Sequence, residues 1–222
     1  MSDFAVSSYT PTLTALFYEH ISQRSEKPQI LTVALPSESR LPGTAKEVKC
    51  VASHAQDFPV LSLLESQATS QHVSVAMKES AWAHFACHGM QNISNPTESC
   101  LLLAGNSKLT LSDIIKLHLG NTELAFLSAC ETATGDKELE EEAVHLAAGM
   151  LLAGYRGVIA TMWTIDDDIA VRVADETYRL LFKEYNADST CAAEALQSAV
   201  KKVCKGAKAP LFSCLPFIHM GI

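Results

Sequence analysis

Two segments of the 222-residue sequence end apolar runs on side chains capable of acyl chemistry. His84-Phe85-Ala86-Cys87-His88-Gly89 closes on an imidazole, and Leu127-Ser128-Ala129-Cys130-Glu131-Thr132 closes on a thiol. A cysteine attacks as thiolate, and a neighbouring imidazole promotes that form and returns a proton to a leaving amine. If the two runs are adjacent strands of a parallel sheet, His88 and Cys130 emerge side by side at its carboxyl edge, where open α/β sheets carry their sites. Strands lie about 4.8 Å apart, which lets both side chains flank one peptide bond. Gly89 admits close approach of a substrate backbone, and the amides of Gly89 and Cys130 can converge on an oxyanion. The pattern is that of a cysteine hydrolase.

Each residue also has a plainer reading. Free cysteine is among the most buried residue types, and a histidine after a strand is often only hydrogen-bonded structure. The joint placement after two hydrophobic runs is what carries the catalytic reading. On a strand, positions 84, 86 and 88 face one way and 87 the other, which separates Cys87 from both imidazoles and argues against zinc. His84 reads as a core histidine able at most to orient His88. His54, His72, His118, His145 and His219 have no partner motif and read as surface or helix-packing residues. Glu131 either faces the substrate or hydrogen-bonds amides of its own turn. Glu138 to Glu142 suit an acidic first helical turn. Asp166, Asp167 and Asp168 cap a helix, yet they follow a strand ending on the same sheet edge, so one of them could line a pocket for a basic side chain. No G-x-S-x-G, phosphate-cradling glycine loop or H-E-x-x-H occurs, and no cofactor is implied.

The elements that must position these residues follow from periodicity. Strands are expected at 29–35, 59–64, 82–87, 123–129 and 157–163, with an edge strand at 215–220. Between them fall helices at 44–56, with Thr44 and Glu47 as a capping box, and at 67–80, 139–153, 166–183 and 189–205. Ser99 to Leu111 reads as a hairpin, after which Ser112 or Asp113 starts a helical turn. Tyr9 to Gln23 reads as an entry segment with a short helix. Alternating strands and helices at this spacing define an α/β domain with a mostly parallel sheet covered on both faces.

Composition limits the function classes. With 48% hydrophobic residues the chain can bury one substantial core. A formal charge of −8 disfavours nucleic acid, since phosphate binding needs a basic face. Seven scattered cysteines without C-x-x-C spacing indicate neither a disulfide framework nor a zinc ribbon, and suit a reducing, cytoplasmic setting. No basic start followed by an apolar run, and no stretch of about 18 apolar residues, points to membrane. Asn92-Ile93-Ser94 matches a glycosylation acceptor by chance.

Together the motifs resemble the CHAT family, caspase-like domains often attached to tetratricopeptide repeats and related to caspases and separases. The matching segments are Val6 to Thr12, Leu41-Pro42-Gly43 with Glu47, the His84 to Gly89 block, the Leu127 to Ala133 block, Leu152-Ala153-Gly154 leading into Val158 to Trp163, Asp166 to Asp168, and Pro216-Phe217-Ile218. The resemblance implies a three-layer caspase-like sandwich over 25–222, preceded by an entry segment over 1–24. It implies His88 as general acid/base, Cys130 as nucleophile and Gly89 in the oxyanion hole of a cysteine endopeptidase acting on a polypeptide. It also implies a longer natural protein, with a repeat region or an activating protein as partner. A catalytically idle interaction or signalling module is the alternative, and a non-peptidase thiol hydrolase or transferase is a third.

Overall fold

Strands buried on both faces need a layer of helices on each side, and this chain supplies both. The computed structural model describes residues 6–10, 27–35, 43–90, 92, 94–128, 143–162, 165–207 and 216–222. Its strands are β1 (Ile30–Ala34), β2 (Val60–Leu64), β3 (Trp82–Ala86), β4 (His88–Met90), β5 (Cys100–Leu103), β6 (Ser107–Thr110), β7 (Leu124–Leu127), β8 (Gly157–Thr161) and β9 (Phe217–Gly221). Its helices are α1 (Gly43–His54), α2 (Ser70–Glu79), α3 (Leu111–Lys116), α4 (Ala143–Ala153), α5 (Asp167–Lys183) and α6 (Ala192–Ala207). The central sheet has the order β2-β1-β3-β7-β8-β9. All its pairs are parallel except β8 with β9.

Alternation along β3 sends Trp82 into a cluster with residues of α1, α5 and α6, while Ala83, Phe85 and Cys87 join residues of α2, α3 and α4. The result is the three-layer α/β sandwich that the alternating pattern implies. A second, antiparallel sheet has the order β4-β5-β6. Its β5–β6 hairpin matches expectation, with the turn at Gly105 and Asn106 in the left-handed region. Its third strand, β4, is not among the expected elements. A three-residue strand has no readable period, and it forms because Gly89 and Met90 find partners in Leu101 and Cys100.

Local signals shifted in four places. The α3 cap is Thr110, whose Oγ1 accepts from the Asp113 amide at 3.1 Å while Asp113 closes the box, rather than Ser112 or Asp113. Glu47, spaced as a capping-box partner of Thr44, is 2% exposed and lies 3.2 Å from His84 in the core. Cys204 is disulfide-bonded, against the expectation of no cross-link, and its partner lies outside the described residues. Pairing depends on Cα separation, which sequence spacing does not report. His219, read as a surface or helix-packing residue, is buried on β9. Of the entry segment, Val6 to Thr10 are described and the expected helix lies mostly outside the described residues.

Tyr9 runs parallel to β9, donating from its amide to His219 O at 2.8 Å and accepting from the Gly221 amide at 2.9 Å. Ser8 Oγ donates to Gly221 O and lies 2.8 Å from His219 Nδ1. Since the serine proton is engaged, His219 Nδ1 is the donor and Nε2 is left unprotonated. Burial lowers the His219 pKa from 6.5 to about 4. The unfolded chain therefore takes up this proton first. Stability from His219 is complete above pH 6.5 and is lost as pH falls toward 4, by an amount on the order of 3 kcal/mol. Urea unfolding across pH 4–7 should show this limb, and His219→Gln should flatten it.

At the end of α4, Gly154 has φ +126°, and a Cβ there would sit 1.9 Å from Leu119 O. Gly154→Ala is expected to cost about 2 kcal/mol or more, read as a lower denaturation midpoint.

Candidate active site

The carboxyl edge of the central sheet is built by β1, β3, β7 and β8. The ladder between β3 and β7 pairs Phe85 with Leu127, and the Ser128 amide extends it by donating to Phe85 O at 2.9 Å. Past this rung β3 turns through Cys87 into β4, so the imidazole-bearing segment is held by two sheets. His88 opposes Leu102 and Gly89 opposes Leu101 on β5. His88 is half-buried and Gly89 is buried. His88 thus keeps access to solvent on a short strand paired with β5.

Cys130 and Glu131 lie outside the described residues. Cys87, next to His88, is fully buried on the opposite face, and burial pushes its thiol up to about 12. Such a thiol is inert as a nucleophile. Burial also raises the Cys50 and Cys100 thiols above their ordinary value, with Asp175 adding to the effect at Cys50. All three thiols are thus biased away from the thiolate form.

Asp166, Asp167 and Asp168 stand on the same edge, at the start of α5. Asp166 is the N-cap: its Oδ1 accepts from the Asp168 amide at 2.9 Å. Asp167 packs beside the first residue of α1, because a Cβ on Gly43 would lie 3.1 Å from Asp167 Cβ. Two helix N-termini thus meet at the rim, and the acidic turn offsets their positive dipole ends. Asp166 is spent on capping, whereas Asp168 is exposed and faces solvent.

Sequence reasoning did not anticipate a polar cluster beneath this edge. His84 Nε2 lies 3.2 Å from Glu47 Oε1, and His84 Nδ1 lies 3.3 Å from Tyr178 Oη. The available signal was Glu47 itself, since it falls within the inward stripe Thr44, Val48 and Val51 of α1.

This arrangement is the fold of cysteine peptidases of the caspase type. A complex of the pro- and mature domains of RgpB from Porphyromonas gingivalis superposes with a TM-score of 0.65 at 14% identity, covering 93% of this chain and 50% of that one. The Arg-specific cysteine proteinase gingipain R gives 0.61 at 16% identity, covering 93% of this chain and 49% of that one. The chain thus spans about half the length of these structures. The CHAT domain model matches residues 1–217, and the chain belongs to the CHAT domain family. No curated protein matches it by sequence. Among the described residues, no helix is long and apolar enough to cross a membrane.

The capping role of Asp166 is separable from any contact with substrate. Asp166→Ala should lower stability by about 1 kcal/mol in denaturant titrations, and Asp166→Asn should restore most of it.

Proposed function

We propose that this chain is a cysteine endopeptidase in which His88 and Cys130 form the catalytic dyad. The observation that supports it most is strand register. Phe85 and Leu127 are paired across β3 and β7, and His88 and Cys130 each stand three residues further along the sequence. Two peptide units separate Cys130 from Ser128, which covalent geometry limits to about 7 Å between Cα atoms. That tether starts from the rung beside the strand that leads on to His88, which supports pairing the two residues in one site.

In the reaction, His88 takes the thiol proton and the sulfur attacks the substrate carbonyl carbon. The Gly89 amide stabilises the oxyanion. When the C–N bond breaks, His88 protonates the departing amine, and water then hydrolyses the thioester with His88 as base. Glu131, Asp167 and Asp168 are the residues proposed to meet the substrate side chain, and their charge suits lysine or arginine before the scissile bond. The likeness to an enzyme described as Arg-specific agrees with that choice. Residues 25–222 form the catalytic unit, with 1–24 as its entry segment, and the substrate is a polypeptide.

A thiol-directed peptidyl probe with a basic residue at the reacting end tests this reading. Wild type should label, Cys130→Ala should not, and His88→Ala should label more slowly by about a hundredfold or more. Labelling that persists in Cys130→Ala overturns the dyad, and a wild type without labelling or cleavage, alone or with candidate activators, favours a binding module instead.

A further inference from the structure

His84 is 0% exposed and stands on β3 four residues before His88, ahead of the turn through Cys87 into β4. Glu47, its partner on α1, has a side chain only 3% exposed. His84 Nε2 and Glu47 Oε1 face each other at 3.2 Å without hydrogen-bond geometry. Burial, and secondarily the Glu47 charge, push the Tyr178 hydroxyl well above its ordinary range, so this neighbour on α5 keeps its proton. The His84 ring also packs 5.0 Å from Phe126 on β7 and 5.5 Å, edge-on, from Tyr178.

One imidazole therefore links four elements that lead toward the proposed dyad and its acidic rim. These are α1, which starts against Asp167; β3, which runs to His88; β7, which runs toward Cys130; and α5, which starts at the aspartates. Stability does not account for it. Apolar residues of similar volume in place of a buried polar or charged pair are often neutral or stabilising, and the other face of β3 is filled by Ala83, Phe85 and Cys87 packed in an apolar cluster. Buried polar groups that must face one another, as His84 faces Glu47 and Tyr178, contribute direction, which apolar contacts lack.

Resting on the reading of His88 as general base, we infer that His84, Glu47 and Tyr178 are positioning residues that lock α1, α5 and β7 in one register on β3 and so hold the His88 ring in a single orientation. None of the three touches substrate.

The test uses the full chain with an apolar refill, Glu47→Leu/His84→Leu, and the shape-preserving Glu47→Gln. The refilled protein should melt at or above the wild-type temperature. Its maximal inactivation rate by the peptidyl probe should fall about tenfold to a hundredfold with probe affinity unchanged. By nitrogen-15 NMR the His88 ring should give one sharp set of signals in wild type and several or broadened sets in the refilled protein. A folded refill that keeps both the wild-type inactivation rate and the single sharp set overturns the inference. If wild type does not label at all, the peptidase reading fails, and the His88 signals alone decide the positioning role in the same two directions. Should the refill not fold, Glu47→Gln is read by the same measurements, with wild-type values again counting against the proposal.

Discussion

The hydrogen bond from the Ser128 amide to the Phe85 carbonyl is the last described rung of the parallel ladder between β3 and β7, and the proposed chemistry depends on that ladder's register. A slip of one residue would send every side chain of one strand to the opposite face. Phe126 would leave the α1/α5/α6 layer and Leu127 would enter it, exchanging two buried side chains of different shape. Core packing thus enforces the alignment that brings the ends of the two motif-bearing strands together. The catalytic proposal borrows its geometry from a constraint that the fold needs anyway.

The two faces of that sheet are built differently. The α2/α3/α4 face is filled by apolar contacts, with close approach where Gly149 meets Leu111. The α1/α5/α6 face holds the Glu47–His84–Tyr178 cluster near the carboxyl edge and, at the opposite end, Glu123 accepting hydrogen bonds from Trp82 Nε1 and Ser189 Oγ. Directional polar contacts are thus found at both ends of the layer containing α5. That helix supplies the acidic turn at the rim.

The small antiparallel sheet has a role that its size hides. By pairing with Leu102 and Leu101, His88 and Gly89 are taken out of the loop class and given strand rigidity. For the proposed chemistry this matters, because a general base on a free loop would have to lose its conformational freedom at each encounter with substrate, whereas strand pairing removes much of that entropy on folding. Membership of the CHAT family and the likeness to gingipain structures agree with a peptidase-type scaffold.

The alternation of apolar runs with helical stretches was enough to determine the α/β class, the strand positions to within a residue or two, and the face on which Cys87 and His84 part company. These are local properties, because side-chain period and burial preference are written residue by residue. The Asp166 cap was likewise readable from its own neighbourhood. Other features needed the third dimension. The role of Glu47 looked like capping from its spacing to Thr44, and only the packing of α1 against β3 and α5 made it the partner of His84. His219 became buried because Ser8 and Tyr9, more than two hundred residues away in sequence, cover β9. The strand at His88 exists because β5 lies beside it, and no local pattern of three residues encodes a partner. Sequence determined what each segment could be; long-range contacts, whose partners are distant along the chain, decided which polar groups would meet.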